Sequence, residues 1–266
     1  MVSYLNLLRE TVTFAFHPKW WLALFVLNVA VVGAVMVYMA ANPEAAGGAM
    51  ALLTNPAAAA LTTALPGLAI LGLLFVVWIV GGFWVLGAYL YHTGGVRYRE
   101  GFVKAGRRLP WLAALFIILG LLQNAAGLLF QPADLYGYLI VLVISGFVTL
   151  LFGMAVPALT VGNRGLLESF KDSVALFSEH PLGVLLVQAV AITGSLALGF
   201  VFLFIGNSVV LPTMGQLVVG EALVENGYLP LLFLVMVLGM LGLAMGQAFS
   251  LKLQSGFYLS VMKKGL

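Results

Sequence analysis

Six carboxamides fall inside long apolar runs of this sequence: Asn28, Gln123, Asn124, Gln188, Asn207 and Gln247. An amide surrounded by hydrocarbon must find partners, because leaving it unpaired costs roughly 2–7 kcal/mol. Two outcomes are open. The amides bond across helix pairs, each contributing about 0.6–2 kcal/mol, or some of them line a pocket for a headgroup or an amphipathic solute. Gln123-Asn124 is the strongest pocket candidate, since two adjacent amides exceed what one helix contact needs.

The groups that do harder chemistry are scarce. Lysine, arginine, aspartate and glutamate make up 8% of the chain and avoid the centres of the apolar runs. Ionisable groups there would mark a proton- or ion-coupled path. His17, His92 and His180 sit at run boundaries, singly, without the spacing a metal site needs. There is no cysteine, hence no disulfide, thiolate ligand or thiol nucleophile. Gly81-Gly82 and Gly94-Gly95 lack the Lys-Ser/Thr of a phosphate loop. No nucleophile, base and orienting group can be assembled. The expectation is a non-enzymatic protein with no metal and no cofactor.

One cluster of charge stands out: Arg97, Arg99, Lys104, Arg107 and Arg108. Near an anionic membrane surface each cation contributes about 1 kcal/mol. The same cations would also set topology. Without an alternating aromatic stripe, the cluster is no nucleic-acid module. Lipid headgroups are the expected partners, with a second membrane protein as a further possibility.

The elements that hold these residues follow from composition. Of 266 residues, 63% are hydrophobic, whereas a soluble domain carries roughly a quarter charged residues. Gly at 31 positions suits close helix approach in lipid. The pattern predicts an all-α polytopic membrane protein, a single transmembrane domain over 1–266. Its six spans are expected at 20–41, 65–92, 111–130, 136–161, 182–211 and 229–251. The first is 22 residues, about 33 Å as helix, enough to cross. It is read as retained, because a signal peptide has a shorter apolar core. The fifth is long enough that Gly206-Asn207-Ser208 is expected to break it. Residues 252–266 are expected to run out as a polar-tipped extension.

All 12 lysines and arginines fall before span one, between two and three, between four and five, or after six. The opposite connections carry Glu44, Asp134, Glu221 and Glu225 instead. The positive-inside rule then places both termini in the cytoplasm, in a cytoplasmic membrane.

Three basic-side linkers each carry an amphipathic pattern, over 4–16, 97–109 and 164–179. In the first, Tyr4, Leu5, Leu8, Val12 and Phe16 share a face. In the second it is Tyr98, Phe102, Ala105 and Leu109. In the third, Leu166, Leu167, Phe170, Val174 and Phe177 share a face, and Glu168, Lys171, Asp172 and Ser173 fall elsewhere. Each linker ends at a proline that opens a span: Pro18, Pro110, Pro181. The repeating unit is an interfacial helix followed by a hairpin of two spans, used three times in parallel.

Pro157-Ala-Leu-Thr-Val, then Gly165, then residues 166–173, resembles a motif in a loose group of six-helix membrane proteins. The group includes the membrane domain that precedes some bacterial glycerophosphodiester phosphodiesterases, together with uncharacterised archaeal and bacterial relatives. Asn163 stands where that group commonly has an acid, and Ser169 where it commonly has alanine. The resemblance implies an all-helical membrane fold and brings no catalytic residue, since the phosphodiesterase chemistry lies in a separate soluble domain. The functional expectation is a lipid-contacting scaffold, membrane organiser or complex partner. The alternative is a carrier or channel for a lipid-like or neutral solute.

Overall fold

The computed structural model describes residues 4–42, 61–130, 135–210 and 229–262. Among these every regular element is helical. The α-helices are α1 (Tyr4–Ala15), α2 (Leu22–Ala41), α3 (Leu61–Thr93), α4 (Tyr98–Arg107), α5 (Leu109–Phe130), α6 (Leu135–Phe152), α7 (Ala155–Thr160), α8 (Leu166–Glu179), α9 (Pro181–Val210) and α10 (Leu229–Met262). A 3-10 turn, Pro18–Trp20, joins α1 to α2.

Five stretches are long and apolar enough to cross a membrane: Leu22–Ala41, Ala69–Thr93, Tyr136–Thr160, Pro181–Ile205 and Phe233–Met262. A sixth is reached if α4 and the start of α5, bent by 72°, are counted together. Their outer faces expose Leu73, Phe75, Val76, Val143, Phe200 and Phe204. Water tolerates apolar patches of only a few hundred Å². Whole helix faces of this kind belong in a multi-pass membrane protein, solvated by lipid.

The helices pack closely where glycines let backbones approach. A Cβ at Gly246 would lie 2.7 Å from the Ser195 carbonyl oxygen, and one at Gly242 2.7 Å from that of Leu198. Phe249 lies over Gly194, and Leu203 over Gly239. Contacts that advance along α9 retreat along α10, so this pair is antiparallel. On α2 and α3, Leu27 packs against Gly81, and the Tyr89 hydroxyl accepts the Leu24 N–H at 3.3 Å. That bond satisfies an amide in the first turn of α2, which has no intrahelical acceptor.

Burial is concentrated toward one end of the bundle. Tyr89, Leu90, Leu112, Leu115 and Leu159 form one core cluster there. Met154, Leu176, Val184, Val187, Phe257 and Tyr258 form another. Both gather around the short helices α1, α4, α7 and α8.

Several features differ from the sequence expectation. The backbone stays helical through Gly206-Asn207-Ser208 to Val210, so α9 carries no break there. Glycine lowers helix propensity by about 1 kcal/mol, which a long flanking helix outweighs. Residues 252–262 are no loose extension. They continue α10, with Leu253, Ser255, Phe257 and Tyr258 buried, because α1 and the start of α9 pack against them. Apart from these differences, Leu5 and Val12 of α1 and the Phe16 that follows it are exposed, while Thr11, Phe14 and Ala15 are buried. In α8 the buried residues are Ser169, Ser173 and Leu176, and Leu167 and Val174 are exposed.

Of the two buried serines, Ser169 bonds within its own helix, to the Leu166 carbonyl at 2.6 Å, and the reason for Ser173 lies in span four. Between α6 and α7 the helix turns at Gly153-Met154. The Gln188 carboxamide occupies the space that a Cβ at Gly153 would need. The turn leaves the Leu151 carbonyl and the Met154 N–H without intrahelical partners. Ser173 Oγ donates to the first at 2.7 Å and accepts from the second at 3.2 Å. A leucine at that position could do neither.

Candidate functional site

The first element of the site is the end of α3. Gly95, at φ +92°, turns the chain after Thr93, and His92 Nδ1 lies 2.7 Å from the Val96 carbonyl oxygen. The returning helix α4 packs tightly on α3. A Cβ at Gly101 would meet the Ala88 carbonyl oxygen at 2.8 Å, and Trp84 Nε1 donates to the Phe102 carbonyl at 2.8 Å. Burial of Tyr98 beside this contact pushes its phenol pKa up, so it stays neutral. With one side of α4 fixed against α3, Arg97, Arg99, Lys104 and Arg107 are left exposed.

Arg108 stands at the corner between α4 and α5. One terminal nitrogen of its guanidinium donates to the Leu159 carbonyl at 3.1 Å and to the Arg164 carbonyl at 2.8 Å. It thereby ties α4–α5 to the loop after α7. That loop turns at Asn163, which takes a positive φ of 55°. Asparagine tolerates this left-handed region better than most residues. The Arg164 side chain leaves in another direction. Its Nε pairs with Asp172 Oδ2 at 2.9 Å, and the Tyr258 hydroxyl donates to the same oxygen at 3.3 Å. Asp172 raises the Arg164 pKa further, so this arginine is a permanent cation already matched by an acid.

Between α3, α4 and the α7 loop lies a cleft of about 410 Å³. Lys104, Arg107 and Arg108 line it, with Tyr91, Thr160 and Asn163 among the other walls. No acidic residue lines it. The Arg108 guanidinium is held in place by two carbonyls. Its Nε and second terminal nitrogen have no hydrogen-bond partner among the described residues. Three cations held together without a counter-charge repel one another, and an anion relieves that repulsion. Arginine forks bind phosphate or carboxylate oxygens in pairs, and lysine adds a mobile point charge.

A second, more open cleft of about 560 Å³ lies where α1 meets α10, lined by Asn6, Arg9, Glu10, His17, Trp20 and Lys252. Here an acid, Glu10, lines the cleft beside the cations, and aromatic rings lie near two lysines. Lys252 Nζ sits 5.7 Å from the Phe14 ring centroid, and Lys19 Nζ 4.8 Å from that of Trp20. Trp20 is itself stacked between Phe14 and His92.

The structure brings together Lys104, Arg107 and Arg108 of the five expected headgroup cations. Arg97 and Arg99 do not line the cleft. It does not gather the amides. Asn28 Oδ1 accepts from Trp78 Nε1 at 2.7 Å, joining α2 to α3. Gln123 Nε2 donates to Thr149 Oγ1 at 3.1 Å, and its carbonyl accepts from Ser145, joining α5 to α6. Gln188, fully buried, accepts from Gln254 Nε2 at 2.9 Å, joining α9 to α10. Gln247 is exposed on α10. The side chains of Asn124 and Asn207 lie outside the described residues.

Sequence reading did not single out Gln254, Thr160 or Asn163 as site residues. Lys104, Arg107 and Arg108 do carry a signal, since spacings of three and four place them on one side of a helix. Nothing local says that the α7 loop comes up against them. Among the described residues no group of three or more His, Cys, Asp or Glu could hold a metal ion.

Comparison with protein-family models, with curated proteins and with solved structures found no match.

Proposed function

We propose that this chain is a non-enzymatic protein of the cytoplasmic membrane that contacts anionic lipid through a basic collar made by α1, α4 and α8. It would act as a scaffold, membrane organiser or complex partner. In this reading six spans form three hairpins, each preceded by an interfacial helix, and both termini lie in the cytoplasm. The observation that carries it is the convergence of Lys104, Arg107 and Arg108, with no lining acid, at the ends of the apolar helices α3 and α5. That level of a membrane protein meets headgroups. The outward stripe of Leu5, Val12 and Phe16 on α1 and the exposed Leu167 and Val174 on α8 suit helices lying at an interface. The resemblance through 157–173 to the phosphodiesterase-associated membrane domain group belongs with this reading. Asn28, Gln123 and Gln188 join helix pairs, which favours this reading over the carrier alternative.

The test has two parts. Full-length protein in neutral detergent should bind anionic lipid more tightly than zwitterionic lipid. Replacing Arg97, Arg99, Lys104, Arg107 and Arg108 by glutamine should abolish the difference. Single cysteines placed at Lys104 and Glu221 should be labelled from opposite sides of the membrane. Labelling from one side defeats the topology, and unchanged binding defeats the collar.

A further inference from the structure

Two clefts, three amide pairings between helices and one exposed ion pair are polar features of the described residues that stand apart from simple helix packing. The cleft at Lys104, Arg107 and Arg108 carries an inference beyond general attraction to anionic surfaces. We infer that it is a discrete binding site for a phosphomonoester, the headgroup class with a terminal phosphate. This inference rests on the reading that the protein contacts anionic headgroups, and narrows it.

Three observations support a built site. The first is preorganisation. Two carbonyl bonds fix the Arg108 guanidinium before any ligand arrives, so little side-chain entropy is lost on binding. The second is charge. A phosphodiester carries a single negative charge, and three cations with no lining acid are left mostly uncompensated by it. A phosphomonoester carries about −1.5 to −2 near neutral pH and three strong acceptor oxygens. Those oxygens match two arginine forks and one ammonium. The third is shape. The cleft is bounded on one side by the turn at Asn163 and on another by the chain reversal at Gly94-Gly95. A Cβ at Gly94 would stand 3.0 Å from the Val161 side chain. The walls are therefore two chain reversals, and the volume admits a phosphoryl group with the polar moiety that bears it.

The cations of α4 divide into lining and non-lining pairs, and that division provides the experiment. Full-length protein in neutral detergent is titrated with short-chain phosphatidate, with short-chain phosphatidylglycerol and with inorganic phosphate. Bound species are read by native mass spectrometry. Wild type should prefer phosphatidate over phosphatidylglycerol by about tenfold, from the added charge-assisted hydrogen bonds. K104Q/R107Q should lose that preference. R97Q/R99Q, equally exposed on the same helix and outside the cleft, should keep it. Thermal midpoints of both pairs serve as the folding control, and among the described residues neither pair makes a side-chain hydrogen bond or ion pair. Equal affinity for the two lipids, or equal loss in the two double variants, overturns the site and leaves headgroup contact standing. Binding of no anionic lipid at all overturns both. Displacement of phosphatidate by inorganic phosphate supports recognition of the phosphoryl group alone, with free phosphate as a second source. Phosphatidate binding that inorganic phosphate does not disturb supports a lipid as the sole source.

Discussion

Ser173 donates a hydrogen bond to the Leu151 carbonyl at 2.7 Å, across the break that divides the fourth apolar stretch. The same hydroxyl accepts from Met154 N–H at 3.2 Å. A side chain on α8 thus completes the backbone bonding of α6 and α7, and Ser173 and Met154 are both buried. The loop that walls the cationic cleft starts directly after the six residues of α7, so its position depends on this repair.

Ser173→Ala should therefore destabilise the protein by about 1–3 kcal/mol, the range for leaving buried polar groups unpaired. Thermal unfolding in detergent, followed by tryptophan fluorescence, measures it. Ser178→Ala, at an exposed position of the same helix, should change little.

The α9–α10 contact gives a second test. Gly242 and Gly246 face backbone atoms of α9 at distances no Cβ can share. Gly246→Ala should force the helices apart and destabilise by about 1–3 kcal/mol. Nothing lies within 4 Å of a Cβ at Gly82. Gly82→Ala should be neutral or stabilise by up to about 1 kcal/mol through helix propensity. Paired thermal midpoints check both.

Gln188 and Gln254 invite a double-mutant cycle. Gln188 is buried, and its Nε2 has no hydrogen-bond partner among the described atoms. Gln254→Leu removes the bond to Oε1 as well and should destabilise by about 1–3 kcal/mol. The double replacement by leucine should be milder than Gln254→Leu alone, because no unpaired amide then remains. A double variant worse than the single would show that the pair does more than satisfy itself.

Arg108 joins two roles that other cations on α4 keep separate. Arg108→Gln should lower the thermal midpoint, since the Leu159 and Arg164 carbonyls lose their donor. Arg97→Gln should not. Limited proteolysis of the loop at 161–165 should accelerate in the first variant only.

Much of this was legible in the residues. Runs of apolar residues located the long helices, since nothing else permits so few charges. Pro110 and Pro181 fall within the first two positions of α5 and α9, where a missing N–H does no harm. The site was legible only in part. The cluster on α4 was visible as charge, but the division between lining and non-lining cations depends on the α7 loop, some fifty residues away. At α1 and α8 the stripes holding Leu5 and Leu167 face away from the protein, the side an interfacial helix would present to lipid. What fills the opposite, buried side was not legible. Ser173 falls among the polar residues of its wheel, and only the distant break at Gly153-Met154 explains its burial.

At 34 residues, α10 is about 51 Å long, well beyond a hydrocarbon layer of about 30 Å. A thinner bilayer must lean this rod over, and a thicker one must stand it up. Near its C-terminal end stands Tyr258, bonded to Asp172, which holds Arg164. A change in that lean would reach, through Tyr258 and Asp172, the loop whose Arg164 carbonyl accepts from Arg108.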